Sequence, residues 1–221
     1  RETLSSQLSE SGETFAGTFG NWDMIDFGGD NNEFIYIPME VQTGAGVVRY
    51  NRDTGTYATL MEGNNTGIFE SNPGAWSAST DDFGAFDPAV VTPTGSLVTA
   101  EEWSGNGRIF EISNPTTATG TADANVTWLS KVPSVSHEGI KFDNAGNMYF
   151  VDESNTGSIY KFVPKNAGDY SVGQTFVLTD NDAAAVSAEN WNSAANQAAG
   201  ARTGDSTWIA ITDADGNAVT T

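Results

Sequence analysis

The chain contains no cysteine, a single histidine and few basic residues, and each shortage removes a class of chemistry. Without cysteine there is no disulfide, no thiolate metal ligand and no thiol nucleophile. With His137 as the only histidine, a histidine-rich zinc site is excluded, and a Ser–His–Asp arrangement has one candidate for its base. The 9 Lys and Arg stand against 29 Asp and Glu, for a formal net charge of −20 over 221 residues. No basic stripe exists to displace counterions from nucleic acid, and a chain of this charge is repelled by anionic lipid. No 18-residue apolar run occurs, so no membrane-spanning helix is expected. A phosphate-cradling Gly-rich loop, a GxSxG elbow and an HExxH pair are likewise missing.

What is abundant is carboxylate. Hard oxygen ligands suit calcium above other cations, although the same acids also keep a protein soluble. Little Lys, much Asn, Asp, Gly and Thr, and no Cys together have the flavour of a secreted, periplasmic or cell-surface bacterial protein. The chain opens Arg1-Glu2-Thr3-Leu4, with neither an initiator Met nor an apolar signal core. A removed signal, or a piece of something longer, is therefore expected.

Strand signals dominate. Glu33–Ile37 and Gly46–Tyr50 are β-branched and aromatic, and Asp53-Thr54-Gly55 predicts a tight turn into Thr56–Leu60. Further strand pairs are expected at Ser96–Ala100 with Arg108–Ile112, at Met148–Val151 with Ser158–Val163, and at Thr175–Leu178 with Thr207–Thr212. The Ala-rich stretch from Asp182 to Ala201 is weakly helical without an apolar stripe, and predicts a surface insertion over 181–205. Trp22, Trp76, Trp103, Trp128, Trp191 and Trp208 are scattered, as core packing residues are rather than a sugar platform.

Internal comparison gives the organisation. Thr94-Gly95-Ser96-Leu97-Val98-Thr99-Ala100-Glu101-Glu102 aligns with Ala145-Gly146-Asn147-Met148-Tyr149-Phe150-Val151-Asp152-Glu153, glycine on glycine and acid pair on acid pair. Gly107–Ile112 then matches Gly157–Phe162, and a looser third copy runs Ile35–Glu40 followed by Gly46–Tyr50. The unit is a strand, an acidic strand end, a polar loop and a second strand. Recurrence at roughly 50 residues suits the blades of a β-propeller. The expected fold is thus all-β, a propeller or part of one over residues 1–221. The chain has length for about four blades where most propellers have more, so the ring is expected to be incomplete, with further blades or a protein partner closing it. A β-sandwich is the competing architecture, but it does not predict a copied acid pair.

In a propeller, corresponding strand ends converge on one face. Carboxylates gathered there repel one another unless cations bridge them, which makes Glu101, Glu102, Asp152 and Glu153 candidate metal ligands. The same acids would equally serve as caps on exposed hairpins. Glu138 opens the strand leading into the best repeat copy and joins the candidates, while neighbouring His137 reads as a structural histidine. Asp213-Ala214-Asp215-Gly216-Asn217 has the first half of an EF-hand pattern, but Asx–Gly turn chemistry accounts for it.

The segment Thr92-Pro93-Thr94-Gly95-Ser96-Leu97-Val98-Thr99-Ala100-Glu101-Glu102 resembles a segment of the PhoX-type alkaline phosphatases. His137-Glu138-Gly139-Ile140, Gly146–Glu153 and Gly157–Pro164 resemble a second block of that family, in the same order. The resemblance covers Thr92 to Pro164 well and the rest loosely. It implies a secreted β-propeller that hydrolyses phosphate esters at a cluster of iron and calcium ions. Glu101, Glu102 and Glu138 are its implied metal ligands, with Asp152 and Glu153 less directly so. Two departures stand out: Ala100 occupies the position of the family's iron-ligating cysteine, and the family's later Arg-Pro-Glu-Asp-like motif is not found. Loss of the thiolate weakens an iron site more than a calcium site. The alternative expectation is therefore a non-catalytic, calcium-stabilised propeller serving as a surface or interaction module.

Overall fold

The computed structural model describes residues 21–154, 157–181, 194 and 205–219, so the expected insertion at 181–205 lies almost wholly outside the described residues. The described residues are all-β, and their strands form three antiparallel sheets. The first holds β1 (Asn21–Trp22), β2 (Asp26–Gly28), β3 (Phe34–Glu40), β4 (Gly46–Asn51) and β5 (Tyr57–Glu62), with β1 and β2 both paired to β3. The second holds β6 (Phe86–Val91), β7 (Leu97–Glu101), β8 (Ile109–Ile112) and β9 (Val126–Trp128). The third holds β10 (His137–Phe142), β11 (Met148–Asp152), β12 (Ile159–Asn166), β13 (Asp169–Asp180) and β14 (Ser206–Ala210). The second and third are meanders in which strands adjacent in sequence are adjacent in the sheet, and the first is one from β2 onwards. The β4–β5 hairpin forms as its turn residues dictate: Asn51 Oδ1 accepts the N–H groups of Asp53 and Thr54, and Gly55 supplies a positive φ of 72°.

The sheets pack in series, and the middle one buries both faces. Phe86, Ala89, Leu97, Phe110 and Ile112 pack against Tyr36, Val47, Leu60 and Met61 of the first sheet. Val90, Val98, Ala100 and Ile109 pack against Ile140, Met148, Phe150 and Phe162 of the third. Along β7 this is the alternation of a strand, Leu97 to one side and Val98 and Ala100 to the other. A two-sheet sandwich has a single interior, so serial packing is a different architecture. Phe83, Phe86 and Phe110 meet at ring-centroid distances of 5.2 to 5.9 Å, each burial being worth about 1.5–3 kcal/mol.

The sequence repeat is the second and third strands of each sheet. Gly107 and Gly157 stand at matched positions, and the reason is steric. A Cβ at Gly107 would lie 2.0 Å from the Glu101 carbonyl oxygen and 2.2 Å from that of Val135; at Gly157 it would lie 1.8 Å from the Asp152 carbonyl oxygen. The third copy is one residue out in its second strand. Val47 pairs with Pro38 as Ile109 pairs with Ala100, so Ala45 rather than Gly46 matches Gly107. The connections into β7 and β11 share one turn: Gly95 donates to the Thr92 carbonyl and Gly146 to that of Asp143, with φ of 87° and 81°. Asp213–Asn217 repeats it, Gly216 donating to Asp213 with φ 74°. The Asp213 carboxylate accepts the N–H groups of Asp215 and Asn217, Lys165 pairs with Asp215, and Lys131 donates to Asn217 Oδ1. This loop is therefore a hairpin turn with its oxygens committed.

Replacing Gly107 with Ala drives a methyl into two backbone carbonyls, and the expected loss is about 3 kcal/mol or more. Gly105→Ala, in open space at a φ of 72°, is expected to cost about 1 kcal/mol. Urea denaturation midpoints of the two variants give the comparison.

Candidate metal centre

One register relation, repeated in all three sheets, brings the acids together. Trp22 pairs with Met39, Phe86 with Glu101, and His137 with Asp152. In every case the next residue on each of the two strands is acidic. These residues are Asp23 and Glu40, Asp87 and Glu102, and Glu138 and Glu153. Immediately beyond the pair the first strand carries one extra residue. Three steps from Phe86 to Ala89 face two from Glu101 to Thr99, and three from His137 to Ile140 face two from Asp152 to Phe150. In the first sheet, four steps from Trp22 to Asp26 face three from Met39 to Tyr36. The first-strand acid therefore falls within a bulge, where ladder pairing lapses and a side chain is re-aimed. Pro88 is tolerated in β6 because it sits in that bulge. Bulges of neighbouring sheets touch, Ala89 donating its N–H to the Met24 carbonyl at 3.0 Å.

Glu102, Glu138 and Glu153 each present a carboxylate oxygen within 4.8 Å of the others. Asp87 adjoins Glu138 and Asp23, and burial followed by these two neighbours pushes its pKa up to about 9. Burial also raises Glu102, to about 7, with Glu153, Glu138 and Glu40 adding repulsion. Glu138 is raised chiefly by burial, with Glu153 and Asp23 contributing. Asp87 is only 2% exposed, and its Oδ2 meets no hydrogen-bond donor. Its neighbours are acceptors when ionised, so a shared proton or a cation has to bridge them. Ser136 Oγ, 3.5 Å from Glu102 Oε1, is a weak donor beside the set.

The other two sequence candidates are committed elsewhere. Glu101 points away from the cluster into a buried ion pair. Its Oε2 accepts Arg108 Nε at 2.7 Å and the Arg108 N–H at 3.1 Å, and its Oε1 accepts Arg108 Nη2 at 2.8 Å and the Gly84 N–H at 3.2 Å. Asp152 turns onto its own loop, Oδ1 accepting the N–H groups of Ser136 and Ser154, each at 3.2 Å. His137 is fully buried against Phe150, and burial lowers its pKa to about 4 despite the opposing charge of Asp152. Neither ring nitrogen makes a well-aligned hydrogen bond, only the backbone of Gly107 and Pro133 lying near, so it is a neutral, buried packing residue. Asp23, Glu40 and Asp87 were not among the sequence candidates. Glu40 closed the looser repeat copy, and aligning Phe86-Asp87-Pro88 with His137-Glu138-Gly139 would have exposed Asp87.

The donor set is all oxygen. It fits a hard cation such as calcium, and the buried, donorless Asp87 Oδ2 is the observation that asks for one. It does not fit thiolate-bound iron, because Ala100 is buried among Val98, Ile109 and Leu129. Compared with known proteins, the sequence matches no family model, and no curated protein matches it.

Arg108→Ala leaves Glu101 buried and unpaired, and is expected to cost about 3–5 kcal/mol in urea unfolding. Joint replacement of Glu101 and Arg108 by Met is expected to recover most of that loss. Raised carboxylate pKa values mean that the folded state holds more protons than the unfolded one above pH 4. Metal-free protein is therefore expected to lose stability as pH rises from about 4 through 7 towards 9. Calcium is expected to reverse that slope, read as melting temperature against pH with chelator and with excess calcium.

Proposed function

We propose that the protein is a metal-dependent phosphomonoesterase of the PhoX type, built on a β-propeller of which the three serial sheets are blades, and acting outside the cytoplasm. The observation that carries the metal-dependent part is the trio Glu102, Glu138 and Glu153, with oxygens within 4.8 Å of one another, together with the donorless Asp87 Oδ2 beside Glu138. The phosphate-ester part rests on the resemblance of Thr92–Glu102 and of His137–Pro164. Meanders packed face to face in sequence order support the propeller, since each blade of a ring covers its neighbour.

Glu102, Glu138 and Glu153 would hold calcium, with Asp87 the nearest further carboxylate. When bound, such a cation neutralises charge on a phosphate ester and on the oxygen that attacks it. The protein's own share is to hold negative charge where none is otherwise tolerated. At neutral pH Asp87 keeps a proton, which binding of a cation would expel, so affinity rises with pH. His137 is sealed in the core and supplies neither acid nor base.

Ala100 favours a second reading, a calcium-stabilised propeller without catalysis, because the position of the family's thiolate is aliphatic and buried. Metal analysis of the purified protein with p-nitrophenyl phosphate hydrolysis separates the two. Calcium with turnover supports the enzyme, calcium without turnover the scaffold, and no bound metal overturns the site. Glu138→Gln is expected to lower calcium affinity at least about tenfold and to lower turnover with it. A rate indifferent to that substitution removes Glu138 from the site.

A further inference from the structure

Beside the carboxylates lies a cleft of about 720 Å³ that the metal chemistry does not use. Phe69, Trp103 and Trp128 line it, with Glu101 and Arg108 and with Ser134 at its edge. Phe69 and Trp103 stand 5.7 Å apart between ring centroids, tilted, and the Arg108 guanidinium lies 5.5 Å from the Phe69 ring and 5.9 Å from that of Trp128. The aromatic residues come from separate stretches: the segment ahead of β6, the turn after β7, and β9.

The charges here are spent. Arg108 gives Nε and Nη2 to Glu101, Nη2 also to the Asp82 carbonyl at 2.7 Å, and Nη1 to the Glu70 carbonyl and Asp81 Oδ1 at 3.4 Å each. A guanidinium so occupied offers no seat for an anion. What the cleft presents is aromatic surface over a neutralised ion pair, in a volume suited to a small organic group.

Its position relates it to the acids. Glu102 belongs to the carboxylate set, and its two chain neighbours, Glu101 and Trp103, both line the cleft. On the facing segment Ser134 lines the cleft, while Ser136, two residues on, reaches towards Glu102. Two residues of extended chain span about 7 Å, so the cleft and the carboxylates lie within one short stretch of chain of each other, with Glu101 turned to the cleft and Glu102 to the acids.

We infer that this cleft is a subsite for a ring: it takes the aromatic leaving group of a phosphate monoester whose phosphate lies at the carboxylates. The choice of phosphate ester rests on the phosphatase reading above, whereas the capacity to bind a ring does not. The test therefore uses phenol alone, followed by saturation-transfer NMR on the chelator-treated protein, alongside turnover of phenyl phosphate and glycerol phosphate. Phenol is expected to bind the unmodified protein. Phe69→Ala, at a partly exposed ring, and Ser134→Trp, which fills the cleft from its exposed edge, are each expected to reduce the phenol signal at least fivefold. The ratio of kcat/KM for phenyl over glycerol phosphate is expected to fall about tenfold in both variants. Absence of phenol binding, or binding unchanged in both folded variants, overturns the subsite. Binding that depends on Phe69 without turnover of either ester keeps the ring site and overturns its assignment to a phosphatase.

Discussion

One extra residue in the first strand of each sheet is the constraint on which the acidic centre depends. A regular ladder would send alternate side chains to opposite faces, and both faces of the middle sheet are core. An acid held in that alternation would be sunk among Phe, Val and Leu. The bulge at Asp87, and its counterparts at Asp23 and Glu138, suspends the alternation for one position and frees a carboxylate to turn to the sheet edge. Because the bulge recurs at one register in three sheets stacked in series, the freed acids come to one place.

Burying these acids, and then placing them side by side, has an electrostatic cost, which is visible in the raised pKa values of Asp87, Glu102 and Glu138. The fold carries the opposite solution one residue away. Glu101 is more deeply buried than Glu102, yet Arg108 meets it with two side-chain hydrogen bonds, and the backbone N–H groups of Arg108 and Gly84 add one each. Adjacent acids at one strand end thus have different roles. Glu101 is satisfied within the protein and ties the middle sheet to the segment around Asp81 and Asp82, whereas Glu102 is left to a cation or a proton. Asp82 extends that tie, accepting the N–H groups of Gly44, Asn65 and Gly67 in the loops of the first sheet.

The aromatic cleft grows from the same ion pair. Saturating Arg108 makes its planar face available to Phe69 and Trp128 while withdrawing its charge from solvent. A polar anchor in the core therefore leaves an apolar surface beside an acidic one. On the function proposed above, the acidic surface would face the charged end of an ester and the apolar surface its uncharged end.

Much of this was legible in the residues. β-branched and aromatic runs with Gly and Asn punctuation announced an all-β chain, and internal alignment located the second and third strands of each sheet. The spacing also put Glu102 and Glu153 at equivalent strand ends and Glu138 at the start of the next strand, because those features are local and repeat. Sequence could not separate Glu101 from Glu102 or Asp152 from Glu153. Which member of each pair faces inward depends on the partner that arrives across the sheet: Arg108 for Glu101, and the N–H groups of Ser136 and Ser154 for Asp152. Glu40 and Asp87 were within reach of a fuller internal alignment, whereas Asp23, between the short strands β1 and β2, carried no local signal that set it apart. Local periodicity thus determined the strands and their acidic ends. Register and the packing of one sheet on the next decided which carboxylates meet, for charges converge only through contacts between segments far apart in the chain.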